Sequence, residues 1–154
     1  MDLQSLYKEL VLEESRNDEH RHDVPGATHT GEGTNPSCGD ELTLSLKVEG
    51  DTIVDAAFQG VGCAISQASA SIMCGLLKGA TVDEAKQMLK DFLNMIRTGE
   101  VEEASEERLG DAMALQDISH MPARVKCAVM AWHTALNLLG ETVDNEEESD
   151  DFLD

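Results

Sequence analysis

The 154-residue sequence has few aromatic and few basic residues, and it contains no long apolar run. Aromatic residues make up 3% of the chain, although 41% is hydrophobic, so we expect a core built from aliphatic, alanine and methionine side chains. No stretch approaches the roughly 20 consecutive apolar residues of a membrane span. The N-terminus also lacks the basic region of a secretory signal. These absences predict a cytoplasmic protein with no membrane partner.

Acidic residues outnumber basic ones by 31 to 11, which gives a net charge of −20. Eight of the acids fall within residues 141–154, which contain no Lys or Arg. Because such a block repels itself and buries little apolar area, we predict a disordered tail after one domain at residues 1–140. Without the tail the chain still carries about −12, which disfavours nucleic acid and is compatible with a protein partner that has a basic face.

Apolar residues recur at helical spacing in several segments. Three of these segments carry a further signal. The first has an apolar stripe, another begins with a capping box of Thr81 and Glu84, and the last is opened by Pro122. The predicted helices cover residues 3–14, 63–79, 81–99, 122–140 and a short piece near 109–116.

Two segments, residues 42–48 and 52–58, alternate as strands do, and the turn at Gly50 joins them into a predicted hairpin. Residues 59–62 break the second strand, and residues 15–37 are interpreted as a long irregular loop. The predicted fold class is therefore α+β, with a small antiparallel sheet packed against several helices.

Four cysteines in a reducing compartment favour metal binding or thiol chemistry over a disulfide framework. Cys38 and Asp40 lie in the stretch NPSCGDE, where Gly39 permits a bend. Cys63 stands where a strand gives way to a helix, and Cys127 lies in the last helix. Two loop ligands and two helix ligands can close a tetrahedron around zinc. Their spacing alone leaves unrelated buried cysteines as an alternative.

The remaining cysteine, Cys74, follows Cys63 by eleven residues on the same predicted helix. Those residues rise by roughly 16 Å, which is too far for one metal ion. We therefore predict that Cys74 is a buried core residue.

Other polar residues have two interpretations each. Arg124 shares the helix face of Cys127 and is either an exposed arginine or a partner of Asp40 or of a sulfur anion. The loop histidines are either metal ligands or, by preference, solvated side chains; they are His20, His22 and His29. The serines after Cys63 are interpreted as small residues that permit close helix packing; they are Ser66, Ser69 and Ser71.

Four segments together resemble the SufU-like branch of the NifU/IscU iron–sulfur assembly family. They are LYKEL (6–10), NPSCGDEL (35–42), GVGCAISQASASIM (60–73) and PARVKCAVMAW (122–132). The resemblance covers about residues 3–140. It implies the NifU/IscU-like fold and a zinc ion on four ligands, Cys38, Asp40, Cys63 and Cys127.

The same resemblance implies that Cys38 accepts persulfide sulfur from a PLP-dependent cysteine desulfurase of the SufS type. The partner would supply a histidine that replaces Cys38 on the zinc, and the sulfur would pass to downstream cluster-assembly proteins. Two alternatives stay open: a scaffold for a transient [2Fe–2S] cluster, and a structural-zinc adaptor that activates the desulfurase. Whether the protein counts as an enzyme or only as a sulfur carrier is also open.

Two features favour the sulfur-transfer branch. Scaffolds of the IscU type have histidine directly before the last cysteine, where this sequence has Lys126. The segment between Cys63 and Cys127 also contains the extra stretch near residues 95–117. The sequence departs from the family at residues 13–26, EESRNDEHRHDVPG, in place of an H-Y-x-x-P-R-N-like run. That difference concerns a contact with the partner and none of the four ligands.

Overall fold

The computed structural model describes residues 3–140, and from residue 8 onward it also describes their side chains. The elements in chain order are α1 (Leu3–Arg16), β1 (His29–Asn35), β2 (Asp40–Glu49), β3 (Thr52–Val61), α2 (Ala64–Leu77), α3 (Val82–Thr98), α4 (Glu103–Leu109), a 3₁₀ helix (Gly110–His120) and α5 (Pro122–Leu138). This architecture confirms the predicted α+β fold. The acidic segment 141–154 lies outside the described residues, so its disorder and the domain boundary stay predictions.

The sheet is antiparallel throughout, in the order β1-β2-β3. The predicted hairpin is confirmed as β2 and β3, but both strands are longer than predicted. In particular, β3 continues through the predicted break to Val61, which pairs with Glu41. The apolar alternation fades there while the backbone pairing to β2 continues. Both strands therefore extend to the region around Cys38 and Cys63.

Strand β1 contradicts the prediction that all of residues 15–37 form a loop. Its two central inward positions are glycines, because α5 passes close over this part of the strand. A Cβ at Gly31 would lie 2.8 Å from Leu138 Cδ2, and one at Gly33 would collide with Thr134 Oγ1. Glycine in place of valine or isoleucine removes the alternating apolar signal from which a strand is recognised.

Part of the remaining predicted loop, at His20 and Arg21, is held against β3. The backbone N–H of Phe58 donates to His20 O at 2.8 Å. The guanidinium of Arg21 lies 5.2 Å from the centre of the Phe58 ring, within the range of a cation–π contact. This segment therefore covers part of the outer edge of β3.

The helix-terminus signals in the sequence are mostly confirmed. Cys63 is the N-cap of α2, Thr81 and Glu84 form the capping box of α3, and Pro122 opens α5. The polar segment 100–108, for which no element was predicted, contains most of α4, and the helical piece predicted near 109–116 lies mostly in the longer 3₁₀ helix. Helix α4 was missed because only two of its residues are buried, so it has no apolar stripe.

The core lies between the sheet and α2, α3 and α5. It is largely aliphatic, as predicted, with one aromatic pair: the rings of Phe92 and Trp132 stack with centroids 3.7 Å apart. Cys74 is completely buried in this core, which confirms its predicted place. Among the described residues, none of the helices combines the length and the apolar character needed to span a membrane.

Candidate metal centre

The turn between β1 and β2 presents Cys38. Asn35 and Asp40 face each other across the two strands and close this turn, and the Cys38 N–H donates to Asn35 O at 3.2 Å. Gly39 has a φ of +70°, the left-handed conformation that glycine adopts without strain. The turn leaves Cys38 exposed, while Asp40, at the start of β2, is buried.

The other two predicted ligands come from helix positions. Cys63 precedes the first residue of α2, and its Sγ accepts a hydrogen bond from Ser66 N at 3.4 Å. Cys127 lies in the second turn of α5 and is 1% exposed. Both side chains therefore sit on rigid elements, unlike Cys38.

These separate segments bring the predicted residues together. One ligand atom from each of Cys38, Asp40 and Cys127 lies within 4.8 Å of the other two. The Cys127 thiol donates to Cys38 Sγ at 3.2 Å. Cys63 joins the cluster through its backbone N–H, which donates to Asp40 Oδ1 at 2.9 Å, and not as a member of the tight three-residue group.

The carboxylate of Asp40 is held from both sides. Its Oδ1 accepts from the Cys63 N–H at 2.9 Å and from Ser66 Oγ at 3.2 Å, while Oδ2 accepts from Asn35 Nδ2 at 3.2 Å. The interpretation of Ser66 as a packing residue was therefore incomplete. No local sequence signal distinguishes Asn35, although it begins the NPSCGDE stretch.

The cluster concentrates acidic groups in a small volume. The pKa of the Cys127 thiol is raised, chiefly by burial and then by the nearby side chains of Cys38, Cys63 and Asp40. Three sulfur donors and one carboxylate oxygen are a donor set that tetrahedral zinc accepts. The residues present therefore fit a zinc ion, and a divalent cation would offset their mutual repulsion.

The remaining candidates lie apart from this cluster. Arg124 is exposed on α5 and makes no hydrogen bond or ion pair with Asp40 in the described part of the chain, so its role toward a sulfur anion stays a prediction. His20 packs beside Gly75. The loop histidines do not appear in the metal-ligand group formed by Cys38, Asp40 and Cys127, the one such group within the described residues. Their predicted solvated role fits His22 better than the half-buried His20.

A three-stranded antiparallel sheet with cysteine and aspartate side chains gathered at one end defines a small α+β domain with a thiol cluster. The model of the family described as the NifU-like N-terminal domain matches residues 6–135. The chain belongs to this family, which confirms the resemblance found in its sequence motifs.

Two relatives cover most of the chain. The zinc-dependent sulfurtransferase SufU of Bacillus subtilis is 37% identical over 131 residues, which are 85% of this chain and 87% of SufU. The iron–sulfur cluster assembly scaffold protein IscU of Thermotoga maritima is 40% identical over 134 residues, 87% of this chain and 92% of that protein.

A solved structure matches the fold at similar identity. It is a putative iron–sulfur cluster assembly scaffold protein for the SUF system from Fervidobacterium islandicum, with a TM-score of 0.81 and 38% identity. The match covers 88% of this chain and 98% of that one. The fold and the family are therefore supported independently by sequence and by structure.

Proposed function

We propose that the protein is a zinc-dependent sulfur carrier in iron–sulfur cluster assembly and that it accepts persulfide sulfur on Cys38. The observation that carries this proposal is the contrast within the cluster: the Cys38 thiol is exposed on a turn, while Asp40 and Cys127 are buried. The similarity to a relative named as a zinc-dependent sulfurtransferase supports the same activity.

Zinc would be held by Cys38, Asp40, Cys63 and Cys127, and when bound it would keep the cysteines as thiolates at neutral pH. Asp40 and Cys127 are fixed by burial and hydrogen bonds, and Cys63 is fixed as the cap of α2. Cys38, next to Gly39 on the exposed turn, is the ligand best able to move out toward a partner.

The transfer itself is a thiol–persulfide exchange. The thiolate of Cys38 attacks the outer sulfur of a persulfide carried by a cysteine of the partner. A new sulfur–sulfur bond forms on Cys38, the old one breaks, and the partner's cysteine leaves as a thiolate. The balance needs no added oxidant or reductant. The partner of this step is a PLP-dependent cysteine desulfurase of the SufS type, and downstream assembly proteins receive the sulfur.

The residue before Cys127 favours transfer over cluster assembly on this chain. This residue is Lys126 and not a histidine, so the position offers no imidazole nitrogen to a metal. The alternative, a scaffold for a transient [2Fe–2S] cluster, draws on the similarity to IscU of T. maritima. Metal analysis of the purified protein separates the two: a carrier contains zinc and is colourless, whereas a scaffold contains iron and sulfide and is brown.

Four free thiols fit a reducing compartment, so we place the protein's action in the cytoplasm. An exposed acceptor thiol such as Cys38 would be oxidised in a secretory environment.

The test is stimulation of a SufS-type desulfurase by this protein. We expect the wild type to raise turnover of cysteine to alanine and the Cys38→Ala variant to have no effect, while its circular dichroism stays that of a folded chain. Ser37→Ala, an exposed neighbour in the same turn, is the matched control and should retain stimulation. If Cys38→Ala still stimulates, the protein is an adaptor with structural zinc and the acceptor role of Cys38 is wrong.

A further inference from the structure

We propose that Asn35 is a positioning residue that fixes Asp40 and Cys127 to each other and so leaves Cys38 as the thiol that moves. The inference rests on the proposed function, because it concerns the same cluster. It assigns a task to a side chain outside the ligand set.

The side-chain amide of Asn35 reaches two of the proposed ligands at once. Its Nδ2 donates to Asp40 Oδ2 at 3.2 Å and lies 3.6 Å from Cys127 Sγ, within the limit for a hydrogen bond to sulfur. The group has two N–H donors, one for each acceptor. Asn35 is 4% exposed, so water does not compete for these bonds.

This amide links elements that are distant along the chain. Asn35 ends β1, Asp40 begins β2 directly opposite it, and Cys127 lies 92 residues later on α5. Among the described side chains, that of Asn35 is the one that hydrogen-bonds both an oxygen and a sulfur of the cluster. A buried donor between a carboxylate and a sulfur ligand holds them at a set separation.

The thiol of Cys38 receives no such support. Within the described residues its side-chain hydrogen bond comes from the Cys127 thiol and from no amide, hydroxyl or backbone group. The backbone of Asn35 contributes to the contrast, since its carbonyl accepts the Cys38 N–H and holds the turn while the side chain of Cys38 stays free to swing. One residue thus holds two ligands and supports the turn that presents the third.

Two substitutions test this role. Asn35→Ala removes both donors, and Asn35→Asp keeps the size but sets a carboxylate against Asp40. The matched control is Ser69→Ala, which removes a buried hydroxyl between α2 and α5 that donates to Ala128 O at 2.6 Å and accepts from Trp132 Nε1 at 2.8 Å. That control also breaks buried hydrogen bonds to α5, but it does not touch the cluster.

Two measurements on the full chain detect the effect of these substitutions. Competition with a chelator gives the affinity for zinc, and mass spectrometry gives the alkylation rate of each cysteine in the zinc-loaded protein. Buried Cys74 serves as an internal reporter of general unfolding. Neither measurement involves a desulfurase, so this inference and the proposed function can fail separately.

We expect both Asn35 variants to weaken zinc binding by about 10–100-fold, the usual effect of removing a side chain that orients metal ligands. In wild type and in Ser69→Ala, Cys38 should be alkylated well before Cys127. In the Asn35 variants Cys127 should react at a rate near that of Cys38, while Cys74 stays protected. Unchanged affinity and an unchanged order of reactivity would overturn the proposal. So would reactivity of Cys74 together with Cys127 in both variants, because Asn35 would then act on the whole fold.

Discussion

The four cysteines show how position sets the chemistry of one residue type. Cys74 lies in the core, where burial raises the pKa of its thiol and keeps it inert. Cys63 caps a helix, Cys127 is buried in the cluster, and Cys38 stands exposed on a turn. The predicted division into one core cysteine and three at the site follows from these positions.

His133 makes the stability of the fold depend on pH. Its partial burial on α5 lowers its pKa to about 4, against about 6.5 in an unfolded chain. Between these values the unfolded chain binds a proton that the folded chain does not. Stability is therefore complete above about pH 6.5 and falls as the pH drops toward 4.

Because of His133, we expect the free energy of unfolding to be about 1–2 kcal/mol lower at pH 5 than at pH 7.5. Urea unfolding of the wild type and of the His133→Gln variant at several pH values measures this difference. The variant should lose less stability over that interval than the wild type. Equal losses in the two proteins would show that His133 does not cause the pH dependence.

Asn35 and Ser66 mark the limit of prediction at this scale. Ligand residue types can be recognised in a sequence because cysteine and aspartate have few other reasons to cluster. Residues that orient them are ordinary polar side chains, and their role depends on contacts across 26 or more residues, as in Ser66 with Asp40 and Asn35 with Cys127. Only the folded arrangement reveals them.

At the scale of elements, the close approach of α5 to β1 sets the position of Cys127 against the Cys38 turn. Gly33 makes this approach possible, since a Cβ there would collide with Thr134 Oγ1 and lie 3.2 Å from Met130 Cγ. The site therefore depends on glycines in a strand that contributes no apolar side chain to the core.

Gly33→Ala should destabilise the fold by about 1–3 kcal/mol, the usual cost of overpacking. Thermal unfolding measures the effect. Glu32→Ala, on the exposed side of the same strand, should change stability by no more than about 0.5 kcal/mol. A Gly33→Ala variant as stable as Glu32→Ala would contradict the close packing of α5 on β1.

Elements with strong local signals were predictable, and those without them were not. A capping box, a proline at a helix start and alternating leucines define α3, α5 and β2 within a few neighbouring residues. Strand β1 and helix α4 depend on what they pack against: β1 has glycine where a strand has apolar residues, and α4 buries little. Their tertiary partners hold them in place, and local sequence does not report those partners.

At the scale of the whole molecule, the net charge of −20 determines which charged surfaces the protein attracts. Such a charge attracts a basic protein face and repels phosphate backbones. Next to the cluster, Val61 is 65% exposed at the end of β3, an apolar contact point beside Cys63. Both features are compatible with the partner proposed above for Cys38.

The site as a whole could be anticipated only by combining chemistry with the family resemblance. Gaps of 25 and 64 residues between its cysteines carry no information about distance in space. The fold brings the segments together because β1 and β3 end, and β2 begins, at the same side of the sheet, where α2 begins and α5 passes.

The sulfur-acceptor role that we propose for Cys38 can be tested directly on the protein. After incubation with a SufS-type desulfurase and cysteine, mass spectrometry of alkylated peptides locates any added sulfur atom on the protein. We expect a persulfide on Cys38, absent when the desulfurase is omitted, with Cys63, Cys74 and Cys127 unmodified. A persulfide found on Cys63 or Cys127, or on no cysteine of a zinc-loaded and folded protein, would contradict it.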